Sequence, residues 1–168
     1  MSIGIPFYRK IQSDLDLNGP TLSMQRQPVG TSCTVASGIA TFIGIGTAIF
    51  PPGQAGRKTN TGAVTHQWHK VGVGALSDGT NITGSGTTTL TLSGLTSPTD
   101  DGSEYFCRIG YTPNSLSPNA VNEPFDSASA ELTVVPTFSI TTQPSNSTTI
   151  EGNEATFSVV ATASDNNS

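Results

Sequence analysis

The stretch L-T-L-S-G-L-T-S-P-T-D-D-G-S-E-Y-F-C, residues 90–107, decides the fold of this chain. Its first part carries leucines at alternating positions, and its last part alternates apolar Tyr105, Cys107 and Ile109 with more polar neighbours. This period-two pattern is typical of strands that bury one face. Between the two parts, Ser97–Gly102 combines proline, aspartate and glycine, which are the residue types of tight turns. The stretch is therefore predicted to form a strand, a corner and a second strand.

The spacing of these residues resembles one well-known all-β family. L-x-L-x-x-L, then Asp101, then Tyr105-x-Cys107, with Trp68 upstream as the one tryptophan, resembles strands C, E and F of an immunoglobulin-like sandwich. The family's corner reads D-x-G-x-Y-x-C, whereas here Gly102 stands one place early and Ser103 occupies the glycine position. The resemblance implies a locally reshaped corner. It also implies a structural role for Tyr105, whose hydroxyl bonds to corner backbone in the family.

Composition supports this fold class and argues against several functions. The chain has 168 residues, with 12 acidic and 7 basic side chains, a net charge of −5, and 18 glycines. Few charges and many small polar residues favour short strands and turns over helices. No stretch approaches the ~20 apolar residues of a membrane span, and Met1–Lys10 lacks the pattern of a secretory signal. Without clustered Lys and Arg, neither nucleic acid nor a membrane is an expected partner.

The chain divides into three parts in this reading. Residues 1–20 form an N-terminal arm, 21–135 one immunoglobulin-like domain, and 136–168 the start of a second such domain. Within the complete domain we expect strands A, A′ and B in 21–49, C at 64–71, C′ and the return to E in 72–86, and G at 127–135, with loops at 50–63 and 112–125. The predicted core consists of Phe42, Trp68, Leu90, Leu92, Tyr105, Cys107, Leu132 and Val134.

An internal repeat predicts the second domain. L-S-M-Q-R-Q-P at 22–28 corresponds to F-S-I-T-T-Q-P at 138–144, and A-T-F at 40–42 corresponds to A-T-F at 155–157. Residues 137–163 therefore match strands A to B of a second copy. Half a sandwich exposes its apolar face. We therefore expect the remaining strands in a longer chain, and the alternatives are a partial domain that is disordered or one that is completed by another chain.

The two cysteines leave an alternative open. In the family, a disulfide joins strands B and F, but the B position that corresponds to a partner of Cys107 is Gly44. Cys33 falls on strand A′, and a bridge from it to Cys107 is one possibility. The favoured alternative is two buried, reduced thiols, because the absence of a leader predicts assembly in a reducing cytoplasm.

No constellation predicts catalysis or a metal site. His66 and His69 are the two histidines, and residues three apart on a strand point to opposite faces, so they cannot share one metal ion. His66 is expected to pack beside Trp68. The sequence has no G-x-S-x-G, P-loop or H-E-x-x-H motif. We therefore expect no enzyme activity, no cofactor and no metal.

Two phrases extend the resemblance towards function. D-G-T-N-I-T-G with T-T-L-T-L, at 78–92, and Q-P-S-N-S-T-T-I-E-G-N-E-A-T-F-S-V-V-A, at 143–161, are similar to tandem immunoglobulin-like domains of tailed-bacteriophage structural proteins and of bacterial surface proteins. The resemblance implies a head decoration, neck or tail fibre protein of a virion whose distal domains bind host surface glycans weakly. A secreted bacterial adhesin module is the alternative, and an enzyme-associated binding module ranks third.

The arm is the expected anchor. Its apolar side chains have no place in a sandwich already supplied by the strands, and exposed apolar patches mark interaction sites. A capsid, neck or tail protein is the expected partner, unless the arm folds back over its own domain or is simply a frayed terminus. The expected contact residues are Ile3, Ile5, Phe7, Tyr8, Arg9, Lys10, Ile11, Leu15 and Leu17.

Overall fold

The computed structural model describes residues 20–50, 62–112 and 123–164, and all helix or strand assigned within these ranges is strand. The thirteen strands are β1 (Thr21–Arg26), β2 (Thr31–Thr34), β3 (Ala40–Ile43), β4 (Ile45–Ile49), β5 (Ala63–Lys70), β6 (Gly74–Ala75), β7 (Ile82–Thr83), β8 (Thr89–Leu92), β9 (Glu104–Thr112), β10 (Phe125–Asp126), β11 (Ala130–Val135), β12 (Thr137–Thr142) and β13 (Val160–Ser164).

Strands β1 to β11 form an immunoglobulin-like β-sandwich. One layer has the order β2-β11-β9-β5-β6, with β10 also paired to β9. The other layer consists of the pair β1-β4 and the sheet β3-β8-β7, and a backbone bond from the Gly44 N–H to the Thr88 carbonyl spans the break between β3 and β4. Strands β2 and β11 pair in parallel, whereas every other strand pair is antiparallel among the described residues. In family terms, the layers are A′-G-F-C-C′ and A-B-E-D.

The core lies between the layers and centres on an aromatic group. Trp68 is fully buried, and the ring of Phe42 lies 6.3 Å from that of Trp68 and 5.2 Å from that of Tyr105. The indole N–H of Trp68 donates to the Thr87 carbonyl at 2.9 Å, which satisfies its one polar group. The eight residues assigned to the core from the sequence, Phe42, Trp68, Leu90, Leu92, Tyr105, Cys107, Leu132 and Val134, are all buried.

The corner before β9 is held by its acidic residues. Asp101 accepts the backbone N–H of Val134 at 2.7 Å, which ties the corner to β11. Asp100 accepts both the N–H and the hydroxyl of Thr96 and closes the turn on itself. Gly102 takes a φ of 74°, a region that favours glycine. Ser103, at the family's glycine position, donates its backbone N–H to the Asp100 carbonyl at 3.2 Å.

Several strand limits differ from those expected from sequence. Strand B, predicted within 21–49, breaks at Gly44 into β3 and β4, which pair with different neighbours. The predicted C′ strand is only two residues long, and the region after it contributes β7, which pairs with β8. Strand G begins two residues earlier than expected, because Phe125 and Asp126 pair with β9. A side-chain bond then interrupts G, as the Cys107 N–H donates to the Ser127 hydroxyl.

Strands β12 and β13 repeat the pairing of β1 and β4. Leu22 pairs with Ala48 and Met24 with Gly46, and in the same way Phe138 pairs with Ala163 and Ile140 with Ala161. Both pairs contain a register shift at the same place, between Met24 and Arg26 and between Ile140 and Thr142. The two strand pairs differ in burial: Leu22 is 6% exposed, whereas Phe138 at the corresponding position is 75% exposed.

Candidate functional site

An aromatic and charged cluster lies on the outer face of the β9-β5 sheet. His69 and Phe106 are register partners, and their rings stack at 4.9 Å with an interplanar angle of 14°. The guanidinium of Arg108 lies 5.9 Å from the centre of the Phe106 ring. Arg108 also makes two hydrogen bonds to Asp126, at 2.6 and 2.7 Å, because β10 places Asp126 opposite it. We call these four residues the outer-face patch.

The charges of the outer-face patch compensate one another. The hydrogen bond from Arg108 is the main reason that the pKa of Asp126 lies below its usual value. The pKa of His69 is lowered, first by burial and then by the charge of Arg108, while Asp126 partly opposes this. The patch therefore presents a neutral imidazole, an aromatic ring and a closed ion pair near neutral pH. Aromatic residues and arginine are enriched at protein interfaces, so this surface is suited to contact with a macromolecule.

The side chain of His66 lies on the face of β5 opposite to that of His69 and points towards the core. Its Nε2 accepts the backbone N–H of Gly46 at 3.1 Å, which links β5 to β4 across the two layers. Burial lowers the pKa of His66, as expected for an imidazole that must stay neutral to accept this bond. The packing role predicted beside Trp68 thus includes a specific hydrogen bond, and His69 indeed points to the other face.

The two cysteines are free and buried, and the structure excludes the alternative bridge between them. Cys33 pairs with Val134, whereas the Cys107 carbonyl accepts the N–H of Ser127. Val134 and Ser127 stand at opposite ends of strand G, roughly 20 Å apart at the usual rise of a strand. A disulfide needs Cα atoms within about 7 Å. Burial raises the pKa of Cys107 to about 11 and also raises that of Cys33, so neither is an activated thiol.

A small pocket opens near the corner that precedes β9. It encloses about 170 Å³, and its apolar lining includes Leu76, Leu92 and Leu95. Lys70 and Asp100 contribute charged groups, and the ammonium of Lys70 lies 5.7 Å from the centre of the Tyr105 ring. Ligand pockets usually enclose about 300–1,000 Å³. This one is large enough for a single side chain of a partner but not for a typical substrate.

The described ranges contain no group of three or more histidine, cysteine or acidic side chains placed to hold a metal ion. Nor do they contain a helix of the length and hydropathy needed to cross a membrane. The nine arm residues predicted to bind a partner, from Ile3 to Leu17, lie outside the described residues.

The outer-face patch was not assigned a function from the sequence. The alternation of β9 does place Phe106 and Arg108 on the face opposite Cys107, and the same rule places His69 opposite Trp68. The register between β5 and β9, which stacks His69 on Phe106, is set by pairing across the sheet and has no local signature. Asp126 falls between the predicted F–G loop at 112–125 and the predicted strand G at 127–135, so the sequence did not predict its pairing with Arg108.

Comparison with known proteins identifies the fold and nothing narrower. No family model and no curated protein matches this sequence. Among solved structures, immunoglobulin domains 1–5 of Sidekick-1 match 84% of this chain with a TM-score of 0.52 and 21% identity. Extracellular domains 3–5 of Drosophila OTK match 83% of it with a TM-score of 0.43 and 17% identity. The chain spans 25% of the Sidekick-1 structure and 39% of the OTK structure. At 21% identity, the likeness to Sidekick-1 shows an immunoglobulin-like fold alone.

Proposed function

We propose that this chain is a non-enzymatic structural or adhesive protein of a bacteriophage virion that projects tandem immunoglobulin-like domains as a head decoration, neck or tail fibre. The observation that carries the tandem arrangement is the repeated strand pair. Two segments with limited sequence identity share the same pairing and the same register shift. Tandem sandwiches are spacers and binding modules in many proteins, and the fold by itself does not define the task.

The virion assignment is supported by the sequence phrases at 78–92 and 143–161, which are similar to those of phage structural proteins and bacterial surface proteins. It is supported further by the scarcity of basic clusters and of catalytic motifs. Weak binding to host surface glycans by distal domains fits this role, because many copies on one particle compensate for low affinity. The chain would then assemble in the host cytoplasm, where Cys33 and Cys107 stay reduced.

Mass spectrometry of purified virions tests this assignment. We expect peptides from 21–135 in particles at a stoichiometry above one copy per particle. Detection only in the envelope or culture-medium fraction of uninfected bacteria would replace the proposal with the alternative, a secreted bacterial adhesin module.

The arm is proposed as the anchor. The predicted contact set in residues 1–20 combines seven apolar side chains with Arg9 and Lys10. Pro6 and Pro20 favour an extended chain at both ends. An extended segment can lie in a groove or add to a sheet edge of a capsid, neck or tail protein. Each large apolar side chain contributes about 1.5–3 kcal/mol when buried, and ordering of the segment offsets part of that.

Deletion of 2–19 separates anchoring from folding. We expect the truncated protein to keep its urea unfolding midpoint and to lose occupancy on particles. Normal occupancy would refute the anchor, and a lowered midpoint with normal occupancy would favour an arm that folds back over its own sandwich.

A further inference from the structure

The second strand pair, β12 with β13, presents an apolar face with no cover among the described residues. Backbone pairing places Phe138 opposite Ala163 and Ile140 opposite Ala161, so these four side chains share one side of the pair. Phe157 and Val159 precede β13 and correspond in the repeat to Phe42 and Gly44. Phe138 is 75% exposed, Phe157 62%, Val159 55% and Ile140 53%. Exposed apolar surface of this extent marks an interaction site.

The first strand pair shows what kind of structure covers such a face. Leu22 and Phe42 occupy the positions of Phe138 and Phe157, and they are 6% and 1% exposed. Their cover is the β5-β9 sheet, whose inward residues Trp68, Cys107 and Ile109 are fully buried. Equivalent positions in a repeat with the same register require the same kind of cover.

The cover of the first pair does not fit the second pair. A Cβ built on Gly46 would lie 2.6 Å from Cγ2 and 2.8 Å from Cδ1 of Ile109, and a Cβ on Gly44 would lie 3.2 Å from Cβ of Cys107. Ala161 of β13 stands at the position of Gly46 in the pairing register. Val159, directly before β13, corresponds in the repeat to Gly44, directly before β4. Both glycines that admit the β5-β9 sheet are therefore replaced by residues that fill the same space.

We propose that the apolar face of β12-β13 is the docking surface for the C-to-G sheet of a second immunoglobulin-like domain, and that this sheet carries alanine, serine or glycine where the first domain has Ile109. Without the isoleucine atoms beyond Cβ, the two closest approaches to a Cβ at position 46 disappear. Only the contact between that Cβ and the Cβ of residue 109, at 3.1 Å, remains. The inference rests on the tandem arrangement proposed above. It adds that the two domains are not interchangeable, so a swap of strands between copies of this chain is disfavoured.

A chimera tests both parts of the proposal. Residues 50–135 are appended after Ser168 of the full chain, so that a copy of the first domain's own sheet is offered to the second strand pair. The unchanged version keeps the native residues throughout. The glycine version carries Val159→Gly with Ala161→Gly. The alanine version keeps both of those residues but carries Ile→Ala at the Ile109 position of the appended segment. The chain without the appended segment, with and without the two glycine substitutions, is the control.

Hydrogen exchange of amides in 137–164 and binding of the dye ANS report the cover. We expect amides of the glycine version to exchange about tenfold or more slowly than those of its control, and dye binding to be lost. The alanine version should show part of both effects. The unchanged version should resemble its control in exchange and in dye binding. If the unchanged version is protected as well as the glycine version, the proposed requirement for a small residue at the Ile109 position (the size rule) is wrong. If no version is protected, the proposed docking surface is wrong. If the full chain alone is a dimer with 137–164 protected, a second copy occupies the face and the proposal is wrong. A negative virion assay leaves these outcomes unaffected.

Discussion

Substitution of Gly46 by alanine probes the close contact between β4 and β9. The added methyl would lie 2.6 Å from Cγ2 of Ile109, and Ile109 is branched and fully buried, so it cannot move aside freely. Overpacking of this kind costs about 1–3 kcal/mol. With a urea m-value of about 1–3 kcal/mol/M, the unfolding midpoint should fall by about 1 M. Fluorescence of Trp68 reports the transition, since it is the one tryptophan and is fully buried.

The double substitution of Gly46→Ala with Ile109→Ala supplies the decisive comparison. Ile109→Ala alone leaves a cavity and should cost about 2–5 kcal/mol. The methyl group added at position 46 would fill part of that cavity, so the double variant should be more stable than the sum of the two losses predicts, by about 0.5–3 kcal/mol.

Gly79→Ala is the matched control. A Cβ there meets no atom within 4 Å, and the residue has no positive φ, so only the entropy of the unfolded chain changes, by about 0.4–1 kcal/mol in favour of folding. Equal unfolding free energies for the Gly46 and Gly79 variants, or strict additivity in the double variant, would refute the packing argument and with it the size rule for the second domain.

Three further predictions concern polar groups. The pKa of His66 is lowered in the fold, so as the pH falls the unfolded state binds a proton first. The free energy of unfolding should therefore be highest above about pH 6.5 and decrease as the pH drops from there towards the folded pKa. Urea titrations should show a smaller decrease for His66→Asn, with His69→Asn as comparison because the pKa of His69 is also lowered. Asp101→Ala should cost about 1–3 kcal/mol, since it leaves the Val134 N–H without its acceptor, whereas Asp101→Asn should keep much of the stability; identical midpoints for both variants would contradict this role. Iodoacetamide at pH 8 should leave Cys107 of the native protein unlabelled, because its pKa is about 11, and labelling should appear only in urea; rapid native labelling detected by mass spectrometry would be inconsistent with this burial.

The sequence carried the information for the sandwich because alternation and corner chemistry are local. Tyr105 and Cys107 alternate with less buried neighbours, so their face follows from the period of a strand. The break at Gly44 was not predicted, and the space around this glycine is bounded by Trp68 and Cys107, which are distant in sequence. The same holds for the acceptor role of Asp101, whose partner Val134 lies 33 residues further on. The outer-face patch required the register of three strands, which no single stretch encodes.

The parallel pairing of β2 with β11 has a mechanical consequence. These strands lie near the beginning and the end of the sandwich, and Thr31 to Thr34 run alongside Leu132 to Val135 in the same direction. Tension applied to the two ends of the domain would pull the strands past each other along their length. The backbone bonds between them would then be loaded together in shear, whereas an antiparallel pair pulled from one end opens bond by bond. The parallel pair would therefore resist extension of the domain more strongly than an antiparallel pair pulled from one end.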